Sequence, residues 1–202
     1  MKTLLIVLSV LALSVPALAY PGPDSIGLYV DGNAPSVAGA DLSINTSAPF
    51  ESVTIYLCIT NPSLGGVSGW EGWIDVQGTA VAPAWTLTAG LDVDSNPNYF
   101  QVGIGLTPLA LVPNANGSVI LADWTGFVGS TADAISFFIK RVPGSVSFAD
   151  GSGYASPGNA GLLQSLYPST GGPDTAVFCI NQDCALVGNE DGTWSSMKEL
   201  FR

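Results

Sequence analysis

The stretch Gly69-Trp70-Glu71-Gly72-Trp73-Ile74-Asp75-Val76-Gln77 holds the residue types best suited to chemistry. Read as a strand, with a side-chain period of two, it sends Trp70, Gly72, Ile74 and Val76 to one face and Glu71, Trp73 and Asp75 to the other. If the first set points inward, an indole stands on the surface between two carboxylates. An indole face stacks on the C–H groups of a sugar ring, and carboxylates accept hydroxyl hydrogens. The competing reading packs Trp73 beneath a loop or a neighbouring strand, the common fate of large aromatics in β domains. Tyr99, Tyr154 and Tyr167 sit near turn residues and are further stacking candidates.

A second cluster is Asp92-Val93-Asp94-Ser95-Asn96-Pro97-Asn98, which sets oxygen-bearing side chains at alternate positions. Hard cations take such oxygens, so Asp92, Asp94 and Asn96 are candidate calcium ligands. The twelve-residue calcium loop is not met, since Pro97 stands where its glycine would be and Gly103 where its bidentate glutamate would be. A solvated Asx-rich turn is the alternative. No other cofactor is implied.

Catalysis finds little to work with. The chain has no histidine, which removes the commonest general base and the commonest metal ligand together. A glycosidase needs two acids about 5–9 Å apart. Glu71 and Asp75, four apart on a strand, would have Cα atoms roughly 13 Å apart. Serine nucleophiles lack a histidine partner. The chain is therefore expected not to be an enzyme.

The cysteines are Cys58, Cys179 and Cys184. A Cys179–Cys184 bridge would close a short loop. Cys58 could instead pair with either, or all three could stay reduced. The spacing does not suit zinc, which wants four ligands.

Disulfides need an oxidising compartment, and the N-terminus points to one. Lys2, the apolar run from Leu4 to Leu13, Pro16 and the small-x-small Ala17-Leu18-Ala19 read as a signal peptide over residues 1–19. The protein is expected to be secreted, extracellular or on the cell surface, with the periplasm as an alternative. No later segment is apolar for long enough to span a membrane as a helix. The formal net charge is −11, and beyond Lys2 the only basic residues are Lys140, Arg141, Lys198 and Arg202. Nucleic acid is thereby excluded as a partner, since phosphate binding needs clustered cations.

The elements that must position these residues read as all-β. With 24 glycines, 14 prolines and 10% charged residues, the composition suits short strands and tight turns. The clearest strand is 52–60, where Val53, Ile55, Leu57 and Ile59 alternate with Thr54, Tyr56, Cys58 and Thr60. Cys58 then faces away from the aliphatic row. Phe100, Val102, Ile104 and Leu106 form a second set, and Ile135, Phe137 and Ile139 a third. Weaker segments are 26–31, 41–45, 69–77, 85–93, 118–124, 146–148 and 175–181, separated by turn residues. Nine to ten strands without crossover helices predict an antiparallel two-sheet β-sandwich, jelly-roll, cohesin-like or Ig-like, over residues 20–187. Residues 188–202 read as a polar linker and a short C-terminal amphipathic helix. There Trp194, Met197, Leu200 and Phe201 would dock or attach the tail.

The blocks Pro23-Asp24-Ser25-Ile26-Gly27-Leu28-Tyr29, Thr60-Asn61-Pro62-Ser63, Gly66-Val67-Ser68-Gly69-Trp70-Glu71, Val146-Ser147-Phe148-Ala149-Asp150-Gly151 and the closing Thr-Trp-x-x-Met-Lys-x-Leu-Phe-Arg resemble successive blocks of a family of uncharacterised secreted proteins of environmental bacteria. The resemblance spans nearly the whole chain after residue 19 and carries no activity. A looser resemblance, to cohesin-like and carbohydrate-binding sandwiches, rests on strand order and on the aromatic-glycine strand at 69–76.

These readings together predict an exported, non-catalytic surface module that binds a protein or assembles with itself. The alternatives are carbohydrate binding, with an extracellular polysaccharide held by exposed aromatics, and a structural filament or surface-layer subunit.

Overall fold

The computed structural model describes residues 22–32, 42–170 and 172–184. The expected signal peptide and the tail with Trp194, Met197, Leu200 and Phe201 lie outside the described residues. Among the described residues the chain is all-β, with twelve strands. These are β1 (Ser25–Tyr29), β2 (Ser43–Ile44), β3 (Glu51–Thr60), β4 (Gly69–Gln77), β5 (Val81–Leu87), β6 (Leu91–Asp92), β7 (Tyr99–Gly103), β8 (Ser118–Val128), β9 (Ile135–Lys140), β10 (Ser152–Ser156), β11 (Asn159–Pro168) and β12 (Phe178–Ile180).

Where the side-chain period is two, sequence and structure agree. Val53, Ile55, Leu57 and Ile59 of β3 are buried, while Ser52 and Thr54 are exposed. Three expectations differ. Segment 85–93 divides into parts of β5 and β6, because Gly90 turns the chain at φ +93° and a Cβ there would meet the Gly103 carbonyl at 2.5 Å. Segment 146–148 is not a strand; Val146 is exposed and Phe148 lies across Gly153, where any Cβ would collide with its ring. The second alternating set, which begins at Phe100, ends as a strand at Gly103.

The strands follow one hydrogen-bonded path, β2-β12-β9-β4-β10-β11-β1-β3-β8-β5, with β7 on β4 and β6 on β7. Two pairings are parallel, β1 with β11 and β12 with β2, so the arrangement is not purely antiparallel. Nor are the two expected sheets separate in hydrogen bonding. Leu163 to Leu166 of β11 pair with β10, and Tyr167 and Pro168 pair with β1. Inward side chains from both halves of this path meet in a single core. Leu28, Ile55, Leu57 and Leu121 share it with Ile74, Phe137, Ile139 and Phe178. Trp124 of β8 stands edge-on to Phe137 of β9 at 5.1 Å. Each large side chain so buried stabilises the fold by about 1.5–3 kcal/mol.

A polar node sits at the join. Asp24 is 7% exposed and adopts a left-handed φ of +57°, which a short polar side chain tolerates. Its Oδ1 accepts from the Tyr154 hydroxyl at 2.6 Å and from the Ser63 N–H at 2.8 Å. The Tyr154 hydroxyl in turn accepts from the Leu64 N–H at 3.2 Å. Tyr154→Phe strips Asp24 of a donor and Leu64 of an acceptor. The expected loss is about 1–3 kcal/mol, read as a lower urea midpoint at unchanged slope. An unchanged midpoint would show that the node does not hold the join.

Candidate functional site

The alternation of β4 places Trp70 and Ile74 in the core and Trp73 and Asp75 on the outer face. There β7 and β9 flank it, and Trp73 pairs with Tyr99 on one neighbour and Lys140 on the other. Tyr99 meets the Trp73 ring edge-on at 5.3 Å. The Lys140 ammonium lies 5.2 Å from the Trp73 ring centre and 5.3 Å from that of Phe138. It also bonds Asp75 Oδ2 at 2.7 Å, and Gln77 donates to the same oxygen at 3.2 Å. Trp73 is thus packed by neighbouring strands, and the carboxylate beside it is answered by a cation on the same face.

The six stacking and acceptor candidates do not converge. Trp73 and Asp75 meet around Lys140, and Tyr99 touches Trp73 from the opposite neighbouring strand. Glu71 points away from the core yet is only 8% exposed, and its Oε1 has no partner among the described residues. Its cross-strand neighbour is Gly153, under the Phe148 ring, which explains the cover. Tyr154 is fully buried and bonded to Asp24, so it offers no stacking surface. Its register opposite Trp70, a core residue, puts it on the inner face. Tyr167 is 64% exposed at the far end of β11. It borders a hollow of about 470 Å³ with Arg141, Asp150 and Ser152, and that hollow also touches Lys140.

The Asx-rich segment spends its oxygens on its own backbone. Asp92 Oδ1 accepts from the N–H groups of Asp94 at 3.1 Å and Gln101 at 2.9 Å. Asp94 Oδ1 accepts from Asn96 N–H at 2.8 Å, and Asn96 Oδ1 from Asn98 N–H at 3.1 Å. These are successive Asx turns. Among the described residues no group of three His, Cys, Asp or Glu side chains is placed to hold a metal.

Cys179 and Cys184 form a disulfide with Cα atoms 5.4 Å apart, packed with Phe138, Ala176 and Leu42. Inside its loop Asn181 turns the chain at φ +56°. Its Oδ1 accepts from the Thr46 N–H at 2.7 Å, and its Nδ2 donates to the carbonyls of Ser130 at 3.3 Å and Asp133 at 3.1 Å. Cys58 is a free thiol, buried outside the main core with Tyr29, Tyr56 and Ile120.

Two features were not singled out in the sequence. One is a cleft of about 630 Å³ walled by Trp85, Phe100 and Trp124. Its aromatics are 39 residues apart at the extremes, so only folding assembles it. The other is β11, whose only outward sign is the Leu162-Leu163 pair in a turn-rich stretch.

No protein-family model matches the chain, and no curated protein matches it. Among solved structures it is similar to a type II cohesin domain from the cellulosome of Acetivibrio cellulolyticus, at 12% identity and a TM-score of 0.32. The match covers 84% of this chain and 97% of that chain. It is a loose likeness to a cohesin-like β-sandwich.

Three buried groups set the response to alkali. Burial, then the nearby Cys58, raises the Tyr29 phenol far above its ordinary value. Burial, then the Asp31 charge, pushes the Cys58 thiol up to about 12. Burial, then the bond to Asp24, raises Tyr154. In the unfolded chain thiols and phenols ionise near about 8.5 and 10. Above those values the unfolded chain releases protons that the folded chain keeps, so stability falls as pH rises. These groups contribute in full below about pH 8, and their contribution is lost progressively above it. The urea midpoint is expected to drop between neutral pH and about pH 10.5. Cys58 is expected to react with a thiol reagent only as fast as the protein opens. A midpoint that does not fall, or immediate labelling of the folded protein, would contradict this account.

Proposed function

We propose that this chain is a non-catalytic module that works outside the cytosol by associating with a second copy of itself through strand addition. The observation that carries this reading is the open edge of β11. Asn159 and the run from Leu163 to Leu166 pair with β10, whereas β1 takes up the other side only at Tyr167 and Pro168. Among the described residues no strand pairs with that side before Tyr167. Leu162 is 50% exposed and Leu163 43%. An open edge presents a row of backbone donors and acceptors to any passing strand.

The other outer strands are blunted. β5 carries Pro83 within a bulge between Val81 and Ala84. β2 and β6 have two residues each. β11 has ten residues, no charge, and no proline before its last position; a register shift leaves Ala160, Gly161 and Leu162 out of its ladder with β10, so its regular open run is Leu163 to Leu166. In a two-fold antiparallel pair the residue on the axis faces its own copy; with Leu163 there, Leu162 lies opposite Gln164 of the second copy, and no like charges meet. Such a pair closes on itself, which favours a dimer over the filament or surface-layer alternative.

Supporting details are consistent with binding rather than catalysis. Asp24, Asp75 and Asp92 are held by structural partners, and Glu51 Oε2 accepts from the Ser47 N–H at 2.6 Å. The Cys179–Cys184 bridge suits an oxidising compartment. Polysaccharide binding at Trp73 gains nothing from the geometry, since Lys140 and Tyr99 already pack that ring.

The test is oligomeric state by sedimentation from micromolar to millimolar protein. Tyr167 donates its N–H to Asp24 O, on the β1 side. Alternation then puts the Leu163 N–H on the same open edge, so Leu163→Pro removes an outward donor and spares the bonds to β10. A dimer that becomes monomeric in Leu163→Pro and in Leu162→Lys, with unchanged circular dichroism, is the expected result. A monomer at every concentration, or a dimer indifferent to both substitutions, would overturn the proposal.

A further inference from the structure

The cleft of about 630 Å³ is walled by Trp85, Phe100 and Trp124, with Leu87, Pro97 and Asp92 beside them. Apolar walls open to water cost free energy until something covers them. Asp92 is paired with Val102, a core residue, so its side chain lies on the inner side of the sheet, with the cleft. It spends Oδ1 on two backbone N–H groups, and a carboxylate has about four acceptor positions, so capacity for a cation remains.

The chain itself supplies a segment of matching chemistry. In residues 193–202, Trp194, Met197 and Phe201 are spaced i, i+3 and i+7, the spacing of one helical face. The same ten residues carry two of the chain's five bases, Lys198 and Arg202, against one acid, Glu199. The segment follows Cys184, where the described residues end. Cys184 is held by its disulfide with Cα 5.4 Å from that of Cys179. Cys179 lies opposite Ser136, and Ser136 opposite Gln77, the residue before Gly78 on the rim of the cleft. Two strand spacings separate Cys179 from Gln77, roughly 10 Å. The eight residues 185–192 can span up to about 26–29 Å, so the tail reaches the cleft with chain to spare.

We propose that the Trp85–Phe100–Trp124 cleft is the docking site of this chain's own segment 193–202, with Met197 between the aromatic walls and a basic side chain of the segment at Asp92. A thioether packs well against aromatic rings, and its flexible side chain fits an irregular hollow. The other candidate surfaces suit the segment less. The Trp73 ring is already packed by Tyr99 and Lys140. The hollow beside Tyr167 is bordered by Lys140 and Arg141, the two basic side chains among the described residues, and these oppose Lys198 and Arg202. Tethering favours the chain's own segment over a free partner, because the linker holds it at a high effective concentration.

The test labels the methionine methyls of the full chain with ¹³C. Met1 and Met197 are its two methionines, and the resonance lost in Met197→Leu is that of Met197. Ring currents of the cleft are expected to move the Met197 methyl upfield of its position in urea, with nuclear Overhauser contacts to ring protons of Trp85, Phe100 or Trp124. A chain stopped after Gly192 is expected to bind an anilinonaphthalene dye that the full chain excludes, and a synthetic peptide of residues 193–202 to displace it. The peptide with Trp194→Ala should need about tenfold more to do so. Asp92→Asn, which keeps an acceptor for the two backbone N–H groups, should weaken the peptide at low salt and lose that effect at high salt. The methyl measurement uses only the full chain, so it decides the matter even where the shortened chain does not fold. Three results would overturn the proposal: a Met197 methyl at the same position folded and in urea, contacts to Trp73 or Tyr99 in place of the cleft, or contacts that disappear on dilution, which would give the cleft to the tail of a second copy.

Discussion

Taking a carboxylate out of water is tolerated only where donors replace the water, and Asp24 shows how much structure that requirement can organise. Its donors come from the turn after β3 and from β10. Its own carbonyl accepts the Tyr167 N–H from β11 at 3.0 Å. One residue before β1 therefore ties three distant parts of the chain. The pairing of β1 with β11 begins at that point and is two residues long. Because the join is fixed so late in β11, the preceding residues project without a second neighbour. The open edge is a consequence of where the buried acid sits. Gly27 is part of the same constraint, since a Cβ there would come within 2.5 Å of Ser169 Oγ and 2.9 Å of the Tyr29 hydroxyl.

Elsewhere the turns look after their own polar groups. Asp92, Asp94 and Asn96 cap successive N–H groups, as Asn114 does for Asn116 at 2.9 Å and Ser118 at 3.0 Å. Among the described residues, most of the unmet buried side-chain groups lie on strands instead, at Tyr29, Trp70, Glu71 and Trp85, with Ser169 just past β11. Trp70 and Trp85 both pack on Phe100, one stacked at 5.0 Å and one edge-on, and both leave Nε1 without an acceptor. Packing fixes the direction of an indole before hydrogen bonding can. Burying so large a ring gains about 1.5–3 kcal/mol, close to the about 1–3 kcal/mol that an orphaned donor costs. Trp70 is 3% exposed and must bear that cost. Trp85 bears it too, since its ring borders a cleft while its Nε1 stays buried.

Much of the framework was legible because a half-buried strand writes its period into the sequence. β3, β4 and β9 alternate, and their inward residues are the ones found in the core. The hairpin of β10 and β11 was illegible for a physical reason. β10 is rich in Gly and Ser and β11 is exposed through most of its length, so neither shows a period of two. The site was harder still. Tyr154 and Tyr167 sit in similar company, yet register opposite Trp70 buries one while the other lies exposed at the end of β11. Trp73 and Asp75 were visible together, but Lys140 lies 65 residues beyond Asp75, and only the β4–β9 register brings it there. The Cys179–Cys184 bridge is local and therefore visible in the spacing, whereas the bonds of Asn181 to Thr46 span 135 residues and are not.

The charge pattern bears on how an open edge can be kept without promiscuity. Acids outnumber bases sixteen to five. Two of those bases are engaged locally, Lys140 with Asp75 and Arg141 with the Ser145 carbonyl at 2.7 Å. Copies of such a chain repel one another over about a Debye length, roughly 8 Å at physiological salt. That repulsion opposes pairing in arbitrary orientations, where acidic surfaces come together. It is weakest for an approach that leads with an uncharged strip, and β11 is such a strip. An edge that would be an aggregation hazard on a neutral protein is thereby shielded from encounters in arbitrary orientations.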